Sequence, residues 1–405
     1  MLAVEEYRDR ILAGISPLEP IDVPLASAHG CVLADDVRAP WPLPSFDNSA
    51  MDGYAVRSVD VATATGEAPV TLTVIDDVPA GYRSTEVVAE GTAVRIMTGA
   101  PLPEGADTVV PVEVTDGGTE TVLIREPRTT GTHIRRAGED IVAGELALAA
   151  GTFIGARQIA LLAAVGCGQL RVHPRPRIAV LSTGSELVEP GTPLRTGLIS
   201  DSNSYLLVAA AREAGADAYR IGLIADDETA FVDAIEDQLH RADLILTSGG
   251  VSMGAYDTVK SVLTRLGNAE FVQVGMSPGK PQGFGFVGGD AHMPIITLPG
   301  NPVSSYVSFE NFVRPVIRRM LGLADLVRPT VTATTNADLA PTPGRRQYLR
   351  ARFVGPDIVA PTGTGQGSHV LGGLAQADAL IIVPADSEPI AAGQQVEVWD
   401  LRSFI

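Results

Sequence analysis

The sequence has little of several features that would place it in a specialised class of protein. Among its 405 residues are only 2 cysteines, Cys31 and Cys167, which lie far apart, so a disulfide framework is excluded and a reducing compartment is expected. The 6 histidines are scattered without the spacing of a zinc or haem site. No apolar run approaches the roughly 18 residues that span a bilayer. The N-terminus also lacks the positive start and apolar core of a signal peptide. We therefore expect a cytoplasmic protein that does not enter a membrane.

Positive charge is also scarce. The formal net charge is −18, and nucleic acids and anionic membranes favour basic partners, so neither is expected to bind this chain. An anionic substrate would need a local positive site. Of the 30 basic residues only 2, Lys260 and Lys280, are lysines, and because lysine and arginine are not interchangeable in a site, both positions are of interest.

The pattern of apolar residues, glycines and prolines changes along the chain and predicts several domains. Residues 1–45 begin with a helical pattern and end in a proline-rich run, 46–140 carry short strands separated by turns, and 141–173 contain a further helix. From about 174 to 322, near-continuous apolar strands alternate with helices, which favours a parallel sheet covered on both faces. The strands are expected at 177–182, 218–224, 243–248 and 293–298, and the helices at 204–213, 228–240, 257–266 and 303–320. From 323 to 405 the strand texture returns, and a compact barrel or sandwich is expected.

Polar strings follow several predicted strands of this α/β part, where ligands bind in such folds. The string Ser182–Leu187 offers backbone N–H groups and hydroxyls to an anion, and Glu186 adds a carboxylate. A plain turn explains this string equally well.

The string Thr247–Asp257 is more specific. The adjacent Gly249 and Gly250 allow the main chain to approach a ligand closely, and Ser252 adds a donor. Asp257 is placed to bind a cation or ribose hydroxyls, although capping of the next helix is an alternative for this residue. For the string as a whole, a binding function is favoured over a flexible turn.

One of the two lysines lies in the string Ser277–Gly285. Lys280 stands between prolines in a glycine-bearing loop, which suits a fixed point charge for a phosphate or oxyanion. Lys260 lies in a predicted helix and is expected on an ordinary solvated face.

The string Leu298–Ser304 joins a strand to a long helix. Asn301 and Pro302 suit the first turn of that helix, so the string can be explained as helix initiation. The same geometry points unsatisfied helix N–H groups into the crevice, where they favour an anion.

Further polar strings lie outside the α/β part. Phe46–Arg57, Arg95–Pro101 and Arg135–Ile141 have no obvious packing purpose, and they include the carboxylates of Asp52 and Asp140. In the C-terminal part, Gly365–His369 with Arg350 forms a candidate oxyanion grip, for which a loop and a surface arginine are the alternative. Together the strings predict a phosphorylated anionic ligand at an α/β crevice, with a divalent cation. No Ser/His/Asp or Cys/His arrangement suggests nucleophilic catalysis.

Eight of these strings, in this order, closely resemble the molybdopterin molybdenumtransferase family, which comprises the MoeA proteins and the gephyrin E domain. They are FDNSAMDGYAVR, RIMTGAP, RRAGED, STGSEL, SGGVSMGAYD, PGKP, LPGNPVS and QGSH, and the resemblance runs from about residue 4 to 400. It implies a multidomain α/β plus β fold. The expected parts are an elongated N-terminal helical domain (1–45 and 141–173), an inserted β domain (46–140), a three-layer α/β domain of the molybdopterin-binding type with a parallel-type sheet (174–322), and a C-terminal β barrel (323–405).

The resemblance also implies a reaction. Molybdate, as co-substrate, is inserted into the dithiolene of adenylylated molybdopterin, and AMP is released with Mg²⁺ as cofactor. The site is expected to be shared between the subunits of a homodimer, and a molybdopterin adenylyltransferase and acceptor molybdoenzymes are further expected partners.

Individual residues are assigned by matching the family's motifs. Catalytic roles are implied for Asp52, Asp140, Glu186, Asp257 and Lys280. Substrate binding is implied for Thr98, Ser182, Gly249, Gly250, Ser252, Pro299 and Asn301. Molybdate is expected at Arg350 and Ser368, and the cation at Glu186, Asp226 or Asp227, and Asp257. Asp52, Thr98 and Asp140 are expected to act from the partner subunit.

The sequence departs from the family pattern at two positions. Ser277 stands where many members have lysine, which puts anion affinity in question, and Ser185 replaces an aspartate of some members, which is a mild change. Ser277 keeps open a noncatalytic paralogue that binds molybdopterin and passes cofactor to a partner. A scaffold resembling gephyrin would need an extra N-terminal domain, and a molybdopterin adenylyltransferase would consume ATP.

Overall fold

A computed structural model of the 405-residue chain describes residues 1–224, 227–249, 258–266, 269–363 and 365–402. The N-terminal part contains α1 (Val4–Ala13), β1 (Ile21–Pro24), β2 (Val32–Leu33) and β3 (Val37–Arg38). The β domain contains β4 (Asn48–Ser49), β5 (Gly53–Val56), β6 (Val70–Val78), β7 (Thr92–Ile96), β8 (Thr108–Pro111), β9 (Thr121–Ile124) and β10 (Ile134–Arg135). The chain then returns to the N-terminal part with β11 (Leu146–Leu148), α2 (Ala156–Ala164) and β12 (Gln169–His173).

The α/β domain and the C-terminal domain follow. The first contains β13 (Arg177–Thr183), β14 (Leu187–Val188), β15 (Ile199–Ser200), α3 (Asn203–Glu213), β16 (Asp217–Ile224), α4 (Glu228–Glu236), β17 (Leu244–Ser248), α5 (Thr258–Leu266), β18 (Glu270–Gln273), β19 (Met276–Ser277), β20 (Pro281–Val287), β21 (Met293–Leu298), α6 (Pro302–Ser308) and α7 (Arg314–Met320). The second contains β22 (Thr330–Thr335), β23 (Arg346–Gly355), β24 (Ile358–Pro361), α8 (Leu371–Ala375), β25 (Ala379–Val383) and β26 (Gln395–Asp400).

The central sheet of the α/β domain is mixed rather than wholly parallel. Its order is β16-β13-β17-β21-β20-β18, and the first four strands are parallel as predicted. Strand β20 runs antiparallel to β21, because only residues 288–292 connect them and so short a connection makes a hairpin instead of a helical crossover, and β18 in turn pairs antiparallel with β20. The predicted helices are present, although α4 ends at Glu236 rather than at His240.

Side chains of the parallel strands point alternately to the two faces of the sheet, and helices cover both faces, which gives three layers. Ile178 and Leu246 point into a core with α1, α3, α6 and α7, whereas Ile245 and Ile295 point to the opposite face, onto α4 and α5. All four side chains are at most 1% exposed. Because both faces of the parallel strands are covered, these strands are apolar throughout, and this is why the sequence predicted them well.

Helix α1 packs against the α/β domain. Its buried residues belong to the same core as the α6–α7 helix, which a π-helical turn over Phe309–Val313 makes continuous, and the rings of Tyr7 and Phe312 meet edge to face at 4.9 Å. The antiparallel strands β1, β12 and β2 form a separate small sheet with its own core.

The β domain is a five-stranded sheet in the order β8-β5-β7-β6-β9. Strand β5 lies inside the polar string Phe46–Arg57 and was not predicted. A Cβ atom at Gly53 would lie 2.0 Å from the carbonyl oxygen of Val110, so this position accepts only glycine. The sheet therefore fixes Asp52 at the start of β5.

The C-terminal domain is a closed barrel, which confirms the barrel expected there. Its strands follow the order β23-β24-β22-β26-β25, and β25 pairs with β23 to close it. Strand β19 of the α/β domain adds to β23 and joins the two domains. Within the described ranges, no helix is both long and apolar enough to cross a membrane.

Candidate active site

Three polar strings of the α/β domain meet at one edge of the sheet. Ser182 on β13 lies opposite Ser248 on β17, and Ser248 lies opposite Leu298 on β21. The strings that follow these residues therefore emerge side by side at the carboxyl ends of adjacent parallel strands. We call the segments 182–187, 248–249 and 298–301 the strand-end loops. Their meeting point is the place where α/β sheets bind ligands.

Glycine lets two of these loops approach each other. Gly249 has φ +94°, and its N–H donates to the carbonyl oxygen of Leu298 at 3.0 Å. A Cβ atom on Gly300 would lie 3.9 Å from Cα of Gly249, so the two main chains are in contact range. Gly249 thus brings two loops together, and its expected approach to a ligand stays a prediction, whereas Gly250, Ser252 and Asp257 lie outside the described residues.

Two residues at the start of α3 hold the strand-end loops, and neither was predicted from the sequence. Asn203 donates from Nδ2 to Ser248 Oγ at 2.7 Å and to the carbonyl oxygen of Gly300 at 2.6 Å. Asp201, which is 1% exposed, accepts from Ser182 Oγ at 3.2 Å. The available signal was the run of small polar residues at 201–204, which is typical of helix starts and turns, but the sequence predicted only a helix beginning at Ser204.

The C-terminal domain contributes a fourth loop. Asn301 donates from Nδ2 to Ser368 Oγ at 3.0 Å, and the N–H of Val303 donates to the carbonyl oxygen of Ser368 at 3.1 Å. Asn301 occupies the N-cap position of α6, but its side chain makes no capping hydrogen bond. Pro299 is buried behind it and accepts at its carbonyl oxygen from Ser305 Oγ at 2.7 Å. The structure thus brings Pro299, Asn301 and Ser368 together.

Arg350 supports the loop that carries Ser368. Its side chain is 0% exposed and donates to the carbonyl oxygens of Gly365 at 2.6 Å, Gly367 at 3.0 Å and Val370 at 3.1 Å. Burial lowers the pKa of the guanidinium, which nevertheless stays protonated at neutral pH. The alternative of a surface arginine is therefore wrong, and the expected molybdate contact of Arg350 stays a prediction.

The loop of Lys280 is anchored on helix α6. Gln282 donates from Nε2 to the carbonyl oxygen of Gly279 at 2.5 Å and to Ser308 Oγ at 2.6 Å. Lys280 itself is half-buried, and its carbonyl oxygen accepts from the N–H of Val274 at 2.8 Å. These contacts hold the main chain around the lysine, and the role of its charge stays a prediction.

The expected cation ligands are only partly described. Glu186 is exposed just beyond β13, and its carboxylate lies against Gly184, where a Cβ atom would be 2.6 Å from Oε2. Asp227 caps α4 by accepting from the N–H of Ala230 at Oδ1, 3.0 Å away. Asp226 and Asp257 lie outside the described ranges. Among the residues that are described, no three His, Cys, Asp or Glu side chains cluster as a metal site would require.

The β domain assembles a second polar surface from three distant strings. Pairing of β5 with β7 brings Thr98 to Asp52, which accepts from the Thr98 N–H and from Thr98 Oγ1, both at 2.7 Å. These hydrogen bonds hold the pKa of the exposed Asp52 carboxyl below its usual range. Arg136 donates to Asp47 at 2.6 Å and so ties the third string to the first, and Asp140 of the third string is exposed.

Family models match most of the chain. Residues 2–166 match the MoeA N-terminal region (domain I and II), residues 179–319 a probable molybdopterin binding domain, and residues 332–401 the MoeA C-terminal region (domain IV).

Similar proteins cover the whole chain. Molybdopterin molybdenumtransferase 2 of Mycobacterium tuberculosis is 48% identical over 99% of this chain and 100% of its own length. Molybdopterin molybdenumtransferase 1 of the same organism is 41% identical over 98% of both chains. Among solved structures, a molybdopterin biosynthesis MoeA protein from Pyrococcus horikoshii superposes with a TM-score of 0.79 at 32% identity and 99% coverage of both chains.

Proposed function

Because the chain belongs to the MoeA family of molybdopterin molybdenumtransferases, we propose that it transfers molybdate to the dithiolene of adenylylated molybdopterin and releases AMP in a Mg²⁺-dependent step. The observation that carries this proposal is the alignment of three strand ends in register, with the Ser368 loop hydrogen-bonded to the third. This arrangement offers an anionic nucleotide and an oxyanion adjacent places at one edge of the sheet.

The nucleotide part of the substrate is assigned to the strand-end loops. Asn301 offers a polar side chain and Gly249 lets the substrate approach the main chain, while Ser182, whose buried hydroxyl donates to Asp201, and Pro299 are assigned here by their place in the motifs. Gly250 and Ser252 extend the same loop and are assigned to this role by their place in the motif. Since the chain carries a net charge of −18, the substrate's phosphates need a local cation, which Lys280 supplies. Lys280 would stabilise the negative charge that develops as the phosphoanhydride breaks.

Molybdate is assigned to Ser368 and Arg350. Ser368 Oγ accepts a hydrogen bond from Asn301, which leaves the hydroxyl proton available for an oxyanion. Arg350 supports this site through its hydrogen bonds to Gly365 and Gly367, which fix the loop on either side of Gln366. Its positive charge lies directly beneath the loop and favours an anion on it.

The chemistry of the expected ligands fits Mg²⁺, which prefers carboxylate oxygens and retains several waters. Glu186 presents an exposed carboxylate at the end of β13, and Asp227 keeps its Oδ2 atom beyond its capping bond, so both would hold the ion together with Asp226 and Asp257. When bound, the ion would neutralise phosphate charge in the transition state.

A second copy of the chain is assigned the remaining residues. Asp52 and Thr98 form an exposed hydrogen-bonded pair on the β domain, Asp140 is also exposed, and no hydrogen bond within the described ranges connects these residues to the strand-end loops. A homodimer would bring the β domain of one subunit to the α/β domain of the other. Asp52, ionised at neutral pH, would act there as a hydrogen-bond acceptor or base rather than as an acid.

The proposal is tested by measuring AMP released from adenylylated molybdopterin by the purified protein. Release should require Mg²⁺, stop on addition of EDTA, and increase with molybdate. Mutation of Asp257, which the motif assigns to the cation, should abolish release and leave substrate binding intact. ATP consumption without AMP release from the adenylylated substrate would instead support an adenylyltransferase.

Ser277 favours one other candidate function, that of a paralogue that binds molybdopterin and passes cofactor to a partner. By the resemblance to the family motif this position would carry a lysine, and it lies on the short strand β19 opposite Gln347 of the barrel. Tight binding of the substrate without AMP release, together with tighter molybdate binding by Ser277→Lys, would favour this function. AMP release by the unaltered chain would exclude it.

A further inference from the structure

We propose that the segment Asp201–Ser204, at the start of α3, positions all three strand-end loops of the active site, and that Asn203 is its central positioning residue. This inference deepens the proposed function and rests on it. None of the residues of this segment is assigned to substrate, cation or molybdate above.

Asn203 joins two loops with one amide group. Both N–H donors of Nδ2 are used, one on Ser248 Oγ at 2.7 Å and the other on the carbonyl oxygen of Gly300 at 2.6 Å. Ser248 ends β17, and Gly300 lies just beyond β21, so the side chain sets the spacing between the ends of two neighbouring strands. That spacing determines how closely Gly249 and Gly300 approach.

Asp201 joins the third loop. Its carboxylate accepts from Ser182 Oγ at 3.2 Å, from the Ser204 N–H at 3.1 Å and from Ser204 Oγ at 2.5 Å. Arg220 lies 3.4 Å away and balances the buried charge. The end of β13 is thereby connected to the same helix start as the ends of β17 and β21.

These side chains do more than begin a helix. The N-cap residue of α3, Ser202, makes no capping hydrogen bond with its side chain, and both donors of Asn203 leave the helix for neighbouring loops. Oδ1 of Asn203 is buried and accepts no hydrogen bond from the described residues. A buried unpaired oxygen destabilises a fold, so the residue is better explained by its position at a site than by stability.

The test compares Asn203→Asp with a matched buried asparagine. Asparagine and aspartate have nearly the same size, but the carboxylate cannot donate and would face the carbonyl oxygen of Gly300. We expect the KM for adenylylated molybdopterin to rise about tenfold or more, with kcat lowered less than about threefold, because ground-state alignment is lost. Asn311→Asp is the control, since Asn311 is also buried, at 1% exposure, and its side chain bonds to Val307 and to Tyr348 of the barrel rather than to the strand-end loops. Its KM should not change.

A second measurement needs no substrate. The N–H of Gly249 donates to Leu298, and its hydrogen exchange should quicken in Asn203→Asp but not in Asn311→Asp. The double variant Asn203→Ala with Ser248→Ala should raise KM clearly less than the sum of the two single effects on the free-energy scale, because both changes remove the same hydrogen bond.

The outcomes separate the two proposals. Failure of the unaltered chain to release AMP would contradict the proposed function, and Gly249 exchange would then decide the positioning role by itself. An active chain whose Asn203→Asp variant keeps its KM and its exchange rate would overturn the inference. An equal rise in KM for Asn311→Asp would also overturn it, since general destabilisation would then explain the effect.

Discussion

At the scale of single residues, hydrogen bonding sets the ionisation state of Asp52. Because the pKa of Asp52 in the folded protein lies below the ordinary value, the hydrogen bonds to its carboxylate stabilise the fold fully above that ordinary value. This stabilisation is lost as the pH falls through the lowered pKa and the carboxylate is protonated. Thr98→Val removes one of the two donors and should shift the Asp52 titration toward its usual range. The shift can be followed by NMR of the carboxyl carbon.

Thr92→Val is the control for this titration. Thr92 lies at the opposite end of β7 from Thr98, and its hydroxyl donates to the carbonyl oxygen of Ala89 rather than to Asp52. Its loss should leave the titration of Asp52 unchanged. Equal titration curves for the two variants would show that the Thr98 hydroxyl does not hold Asp52 in its ionised form.

A second prediction concerns the stability of the fold around Gly53. A Cβ atom there would lie 2.0 Å from the carbonyl oxygen of Val110, a backbone atom that cannot turn away. Gly53→Ala should therefore lower the free energy of unfolding by about 3 kcal/mol or more, as judged by urea denaturation. Gly66→Ala, where a Cβ would have no neighbour within 4 Å, should change it by less than about 0.5 kcal/mol. Similar losses in both variants would contradict this explanation.

The sequence indicated the importance of the string around Gly53 without indicating the cause. Residues 53 and 110 come together only through pairing of β5 with β8. Likewise Asn203 and Gly300 meet across the sheet, so nothing in the local pattern at 201–204 distinguishes these residues from an ordinary helix start. Roles that depend on contacts distant along the chain required the structure.

At the scale of elements, prediction succeeded where burial gives a repeating signal. The strands at 177–183, 244–248 and 293–298 are apolar on both faces and were located from the sequence. The antiparallel strand at 281–287 was not, because it carries glycine and polar residues and follows a short loop. The positions of the strand-end loops were therefore predictable, but the full sheet was not.

The loop Gly365–Val370 carries Ser368, and hydrogen bonds from Arg350 hold it in place. Arg350 donates to three of its carbonyl oxygens, and lysine, with one ammonium group, cannot reproduce that fork. Arg350→Lys should raise the KM for molybdate about tenfold and lower the free energy of unfolding by about 2 kcal/mol. Steady-state AMP release at varied molybdate and urea denaturation measure the two effects.

Arg352→Lys is the matched control, since Arg352 is exposed on the same strand. It should alter neither the KM nor the stability. A loss of stability in Arg350→Lys with an unchanged molybdate KM would mean that Arg350 supports the barrel without ordering the Ser368 site.

At the scale of the whole molecule, the α/β domain and the barrel are joined on several sides. Arg328 is 5% exposed, pairs with Glu310 at 2.9 Å and donates to the carbonyl oxygen of Asp400 at 2.9 Å. Tyr348 donates to Asn311 at 2.7 Å, and Asn301 joins Ser368 at 3.0 Å. Because charged and polar groups buried at this junction would be left unpaired on separation, the barrel loop is expected to keep a fixed place at the site.

The β domain is proposed to act on the active site of the other subunit, and co-expression of two variants can test this. Asp52→Ala alters the β domain and Lys280→Ala alters the α/β domain, and each variant should be inactive by itself. If a second subunit completes each site, co-expression of the two variants forms mixed dimers in which one site contains neither change. Random pairing makes half of the dimers mixed, and one of the two sites in each mixed dimer is intact, so about a quarter of the activity should return.

The control pair Lys280→Ala with Asn301→Ala should recover nothing, since both changes lie in the α/β domain and every mixed site then carries one of them. Without recovery by the first pair, the site would have to be completed within one chain, and the grouping of Asp52 with Thr98 would need another explanation.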